Sequence, residues 1–428
     1  MNSSPHNINT LTDHLFRHES GKMVAVLTKI FGTENLETAE DVIQQTFMVA
    51  MQVWKLKGIP ENPSAWLFRV AKNKAIDVIR KNKHSLQYDF NDNDNERALL
   101  KSEYTLTSTM DHLWKEEMIS DDMLRMMFAC CHQDISQENQ ITLILKTLCG
   151  FSTAEIAKAF LTSEDTVSKR LYRTKEIFRK QKIKLEIPTS NELKNRTDAV
   201  LNSIYLLFNE GYNSTHSDEL IRKDLIAEAK LLCKLLCDNP QTQQPETFAH
   251  MELICFHSAR SDSRLTTEGE IILLPYQNRK LWNWDLIREG NDYMNKAAVG
   301  NTVSIYHFEA AIAYEHCTAP TFELTNWPQI LNYYEMLCNI SNSPITEMNR
   351  AVAIMQVHGP VIAFQFLENM SDKKKLESYY LYHSLLGEIK TRLHCTMEAK
   401  QHFEKAMGLT QSNVEKKMLN MKMGALLN

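Results

Sequence analysis

The sequence predicts a nearly all-α chain of more than one domain, and three observations carry that expectation. A length of 428 residues exceeds one ordinary domain, so about two or three are expected. Only 12 Gly and 11 Pro are available, too few for the turns of a β-sandwich. Leu, Lys, Glu, Ala, Met and Gln are abundant instead, and these residues lose little on entering a helix. The 43% hydrophobic content is that of packed globular domains. The opening "MNSSPHNINT" has no cationic start and no apolar run, so no secretion signal is expected. No apolar stretch approaches the roughly 18 residues of a membrane span. The nine Cys are scattered and odd in number, as for reduced thiols, and a cytoplasmic protein is expected.

Charge divides the chain. The formal net charge is -5, yet residues 69–83 carry six Lys/Arg against one acid, and residues 167–184 carry eight against one. Between them "YDFNDNDNERALLKSEY" (88–104) is acidic, Asn-rich and poor in apolar residues, which predicts an exposed linker. Two basic helical units on an acidic tether fit a polyanion held at two places, with two ordinary solvated faces as the alternative on charge alone.

In the first unit, "NLETAEDVIQQTFMVAMQVW" (35–54) places Ile43, Phe47, Ala50, Met51 and Trp54 on one apolar helical stripe. Glu40, Asp41, Gln44, Gln45 and Gln52 share the other face, either solvated or docked on a basic partner helix. In "GIPENPSAWLFRVAKNKAIDVIRKNK" (58–83), Asn62 is the expected N-cap and Pro63 suits the first helical position. Leu67, Val70, Ala71, Ala75 and Val78 fall on one side of this helix. Arg69, Lys72, Asn73, Arg80 and Lys83 fall on the other, with Trp66 at the edge. Cations neutralise phosphates, and an amide or aromatic meets a base; core packing is the alternative for Trp66.

In the second unit, Ser152 and Glu155 have capping-box spacing, and Ile156, Ala157 and Phe160 form an inner face. After a break, Thr162 and Asp165 repeat that spacing. Val167, Leu171, Thr174 and Phe178 then point inward, leaving Asp165, Thr166, Ser168, Lys169, Arg170, Arg173, Lys175 and Arg179 outside. A short helix, a tight turn and a polar second helix make a helix-turn-helix, whose second helix enters the major groove. "ACCH" (129–132) lacks a second Cys/His pair at zinc-finger spacing, so buried helical thiols are expected rather than a metal site.

The order of these segments resembles extracytoplasmic-function sigma factors of the sigma-70 family. The resemblance implies that "AEDVIQQTFMVAMQVW" binds the β′ clamp helices of RNA polymerase, with Asp41, Gln44 and Gln45 as core contacts. It implies that "NPSAWLFRVAKNKAIDVIRK" melts and reads the promoter minus-10 element through Trp66, Arg69, Lys72, Asn73, Arg80 and Lys83. It assigns minus-35 reading to Thr166, Ser168, Lys169, Arg170, Arg173 and Lys175. Core polymerase, through its β′ clamp helices and β flap, and promoter DNA are the implied partners.

"DDMLRMMFACCHQDIS", "IYLLFNEGYNSTHSDELIRKDLIAEAKLL", "ICFHSARSDSR" and "GEIILLPYQNRKLWNWDLI" resemble the sigma-factor subgroup with a long C-terminal helical-repeat extension. In that extension, Gly387, Ala399, Phe403 and Ala406 have the small-small-aromatic-small spacing of a tetratricopeptide helix pair, and Ala351, Ala363 and Leu367 repeat the first three of those offsets 36 positions earlier. Such arrays present concave surfaces to a protein or peptide. His257, Arg260 and Arg264 are candidate regulatory residues for an acidic ligand or partner, or else cap and solvate a helix end. The expected organisation is sigma region 2 over 1–85, linker over 86–115, region 4 over 116–185, and a tetratricopeptide-like regulatory extension over 186–428.

No Walker loop, GxGxxG, HExxH or GxSxG occurs, so no catalytic residues, cofactor or enzymatic activity are expected. The alternative function is a helix-turn-helix activator or repressor that binds operators without polymerase. A second basic domain containing Trp66 argues against it.

Overall fold

The computed structural model describes residues 5–83, 103–159, 162–188, 190–214, 220–341 and 343–426. They fall into two compact units, Met1–Ile204 and Tyr205–Asn428. No sheet forms among the described residues; one antiparallel bridge joins Leu265 and Ile271.

Unit 1 begins with α1 (Pro5–Phe31), α2 (Leu36–Lys57) and α3 (Pro63–Lys83), packed on one another. Their periodic apolar residues make the core. Ile43, Phe47, Ala50 and Trp54 of α2 are buried, and Met51 is half-buried. Leu67, Ala71 and Ala75 of α3 are buried, while Val70 and Val78 are half-buried. The α3 cap is as expected: Asn62 Oδ1 accepts from the Ala65 N–H at 3.0 Å.

The linker expected over 86–115 ends early. Its stretch 84–102 lies outside the described residues, and Glu103–Leu113 is helix α4. Met110 and Leu113 are buried there, and Trp114 meets Phe68 edge-on with ring centroids 5.5 Å apart. Two buried side chains and an aromatic anchor stabilise a helix where the expected linker was drawn.

Next come α5 (Glu116–Cys130), α6 (Gln137–Thr147), α7 (Thr153–Ala159) and α8 (Glu164–Gln181). Cys130 and Cys131 are buried, and burial pushes the Cys130 thiol up to about 12. These helices join α1–α3 in the same unit. Lys29 of α1 reaches the fully buried Asp122 of α5 at 3.2 Å. Burial raises the Asp122 carboxyl to about 6, and Lys29 opposes that rise. At Gly21, α1 runs so close to the end of α6 that a Cβ would lie 2.0 Å from the Leu148 carbonyl oxygen. Only glycine permits that approach.

Helix α9 (Ser190–Tyr212) contains the division between the units. Unit 2 continues as a succession of helices: α10 (Lys223–Asp238), α11 (Pro245–Ala259), α12 (Trp284–Ala297), α13 (Ile305–Thr318), α14 (Trp327–Ile340), α15 (Pro344–His358), α16 (Pro360–Glu368), α17 (Lys373–Leu376), α18 (Tyr380–Arg392), α19 (Thr396–Leu409) and α20 (Asn413–Ala425). From α13 to α16, and again from α18 to α20, each helix packs on the next, as in a repeat array. The small residues expected at the helix-pair contacts sit there. Ala351, Ala363, Ala399 and Ala406 are all fully buried, and Gly387 faces the Phe403 ring so closely that a Cβ would lie 2.6 Å from Cε1.

Candidate nucleic-acid interface

Both basic helices owe their outward charge to a buried apolar stripe that fixes their rotation. On α3, Arg69, Asn73 and Arg80 are exposed, and neither arginine has an ion-pair partner among the described residues. Lys72 is half-buried and pairs with Asp111 of α4 at 2.5 Å. The Lys83 side chain lies outside the described residues. Trp66 is half-buried against Trp54, ring centroids 5.5 Å apart, so it serves packing. On α2, Asp41, Gln44 and Gln45 are exposed beside Met48, 59% exposed.

The helix-turn-helix is built from α7 and α8. The Ser152–Glu155 capping box forms: the Ser152 N–H donates to Glu155 at 2.8 Å, and the Glu155 N–H donates to Ser152 Oγ at 3.2 Å. The inner residues Ile156 and Ala157 are buried; Phe160 lies outside the described residues. The second helix starts one residue later than the spacing of Thr162 and Asp165 predicts. Ser163 is its N-cap, accepting from the Thr166 N–H at 3.2 Å. Ser163 is a strong cap and sets both Glu164 and Asp165 in the first turn, where the positive end of the helix favours acids.

Val167, Leu171, Thr174 and Phe178 are all buried, as the pattern requires. Ser168, Lys169 and Arg173 are exposed; Thr166 is half-buried at the cap. Lys169 pairs with Asp165 at 2.6 Å, and Arg170 pairs with Glu138 of α6. Arg173 has no ion-pair partner among the described residues. Lys175 departs from the expected open face: it pairs with Glu40 of α2 at 2.5 Å, its side chain 19% exposed. One turn on, Arg179 pairs with Glu37 at 2.8 Å. The acidic face of α2 thus meets the far end of α8, a contact between segments 135 residues apart that periodicity cannot register. Tyr172, 66% exposed between Lys169 and Arg173, was missed by charge counting and is legible only as an aromatic on the polar face.

A capped helix-turn-helix, with a second basic helix on a separate segment of the same unit, defines the class of a DNA-binding protein. Comparison with known families makes the class specific. Residues 15–85 match Sigma-70 region 2, residues 125–177 match Sigma-70 region 4, and residues 196–298 match a family of unknown function (DUF6596). An uncharacterized protein of Rhizobium meliloti (strain 1021) is 31% identical over 399 residues, covering 92% of this chain and 90% of that protein. No solved structure matches. The chain belongs to the sigma-70 family, as an extracytoplasmic-function-like sigma factor with a C-terminal extension. It has the domains of an RNA polymerase sigma factor, a non-enzymatic transcription factor whose partners are core polymerase and promoter DNA. Among the described residues no helix is long and apolar enough to cross a membrane.

Proposed function

We infer that this sigma factor binds the β′ clamp helices through Asp41, Gln44 and Gln45 of α2, and meets the β flap with its region 4. It reads a minus-35 element with Ser168, Lys169, Arg170 and Arg173 of α8, Tyr172 beside them. It melts and holds a minus-10 element along Arg69, Lys72, Asn73 and Arg80 of α3, with Trp66 at the edge. Thr166, Lys175 and Lys83 complete the sets at their margins. The observation that carries this reading is the agreement of two exposed basic faces, each set by a buried stripe, with two sigma-70 family matches in the right order. Cations of α8 that neutralise phosphates release DNA counterions, which makes binding salt-dependent, and Lys175 and Arg179 must give up Glu40 and Glu37 to take part.

The C-terminal unit regulates initiation through a protein or peptide partner. A groove of about 960 Å³, lined by Trp327, Met348, Val352, Leu385 and Met418, supports that role. The test is transcription from a duplex promoter by core polymerase with and without the purified protein. Specific initiation only with the protein is expected. Sequence-specific DNA binding with no core binding at any salt concentration would favour a helix-turn-helix activator or repressor instead.

A further inference from the structure

Unit 2 contains a cavity of about 390 Å³ whose wall carries two arginines, Arg260 and Arg264, and one carboxyl, Glu309. Arg260 follows the last residue of α11, and its side chain is 7% exposed. The solvated helix end that the sequence allowed is therefore not its environment. Its Nη2 contacts His257 Nδ1 at 3.1 Å and the Tyr212 hydroxyl at 3.4 Å, while its Nε has no hydrogen-bond partner. Arg264 lies over the Tyr212 ring, 3.9 Å from its centroid, and donates to the Tyr212 carbonyl. Neither guanidinium has an ion-pair partner among the described residues.

Among the neighbouring groups on the wall, only Glu309 supplies negative charge, and only in part near pH 7. Burial and the adjacent arginines push the His257 and His316 imidazoles down, His316 to about 3, so both are neutral near pH 7. His316 Nδ1 is buried and has no hydrogen-bond partner. The one carboxyl on the wall, Glu309, is raised to about 7 by burial and accepts from the Tyr205 hydroxyl at 3.2 Å. Leu274, Ile312, Ala313 and Leu337 also line the cavity. A buried charge lacking a partner is costly, and folding tolerates it where a ligand completes the site.

We propose that this cavity binds a small organic oxyanion, its carboxylate or phosphate head held by Arg260 and Arg264 and its uncharged body laid against Leu274, Ile312 and Leu337. Two guanidiniums present forked donors to such a head, and the unpartnered Arg260 Nε and His316 Nδ1 are open to further hydrogen bonds. The site lies away from α3 and α8 in sequence and composition, and gives the extension a chemical input of its own.

The test needs neither polymerase nor DNA, so its failure is distinct from failure of the sigma-factor reading. Thermal unfolding of the full chain is followed in benzoate, phenyl phosphate or inorganic phosphate, each against sodium chloride at equal ionic strength. An anion held at about ten times its dissociation constant raises the transition by about 3 °C. A shift with benzoate identifies a carboxylate head, and one with the phosphates alone a phosphate head. Arg260→Met loses the shift without lowering the anion-free transition, because the buried charge it removes has no ion-pair partner among the described residues. Arg264→Lys keeps the charge, loses the fork, and moves the half-saturating concentration up about tenfold, roughly the 1.4 kcal/mol of one good charged hydrogen bond. The proposal is overturned if no anion outperforms chloride, or if the shift survives in Arg260→Met. It is equally overturned if Arg260→Met lowers the anion-free transition or fails to fold while Arg264→Lys binds as the parent does, since the arginines are then structural.

Discussion

Replacing Glu155 by Gln should loosen the helix-turn-helix in a pH-dependent way. Glu155 accepts from the Ser152 N–H and hydroxyl, both at 2.8 Å, and from Arg17 of α1 at 2.5 Å. Burial alone would raise its carboxyl; the Ser152 backbone bond and the Arg17 guanidinium outweigh burial and hold it at about 2 against an ordinary 4.5. At about 1.4 kcal/mol per pKa unit, that depression corresponds to about 3 kcal/mol of stabilisation by the ionised form. Gln keeps an acceptor for Ser152 and loses the charge facing Arg17, so about 2 kcal/mol should go. The sign follows from the depression: the contribution is complete above pH 4.5 and fades as pH falls toward 2. Hydrogen exchange of peptides covering 150–181 reads this directly. The protein and its variant are compared at each pH, so that intrinsic exchange rates cancel. Exchange through local opening should be about 30-fold faster in Glu155→Gln at pH 7, with the ratio shrinking below pH 4.5. A ratio near one at pH 7, or one unchanged down to pH 3, would refute the assignment of Glu155 as the charged anchor of α7.

Other outcomes follow from the same structure. Burial raises the Glu252 carboxyl to about 8, so its neutral form is the folded one; Glu252→Gln should stabilise unit 2 at pH 8, with the gain in denaturant midpoint fading as pH falls to 4.5. Gly387→Ala drives a Cβ into the Phe403 ring and should cost about 1–3 kcal/mol, partly restored by Phe403→Leu in a double-mutant cycle. Arg173→Ala should weaken promoter binding by about 1–3 kcal/mol if the guanidinium reads a base, and uniformly across sequences with a shallower salt slope if it holds a phosphate; no loss in filter binding would sink the recognition-helix assignment. Arg69→Ala with Arg80→Ala should leave core binding intact and impair permanganate-detected opening on a duplex promoter more than on a pre-melted one; equal defects would place melting elsewhere.

The parts legible in the sequence are those set by neighbours along one helix. The stripes of α2, α3 and α8, the Asn62 cap and the Ser152–Glu155 box all depend on residues within a few positions of each other, and the structure keeps each of them. The small residues at 351, 363, 387, 399 and 406 were legible because two copies share one phase. What escaped depends on distant partners. Helix α4 was missed within the expected linker because its anchors, Met110, Leu113 and the following Trp114, show their role only through distant partners. Lys175 looked like a free cation, since nothing local shows that Glu40 will reach it. The cavity of unit 2 draws Tyr212 from α9, His257 from α11, Glu309 and His316 from α13, and Asn349 from α15. Only the His257–Arg260–Arg264 cluster was dense enough to be noticed in the chain.

That contrast decides how much each cation says. On α8, most cations come with an acid: Asp165 for Lys169, Glu138 for Arg170, Glu40 for Lys175 and Glu37 for Arg179. Arg173 and the α3 arginines lack one among the described residues, but they stand in water, where an unpaired guanidinium costs little and any phosphate it meets must displace solvent and counterions. Their exposure therefore locates a surface without fixing a ligand, and the promoter-binding role proposed for it rests on the sigma-70 matches. Arg260 is in the opposite situation. Its guanidinium is out of water, its neighbours are neutral imidazoles and a carboxyl raised to about 7, and Coulomb interactions there are several-fold stronger than at the surface. An unbalanced cation in that setting costs stability in the empty protein, and an arriving anion recovers it. For that reason the stability of Arg260→Met without ligand is the most discriminating measurement on unit 2: a cation kept for packing lowers stability when removed, and one kept for a ligand does not.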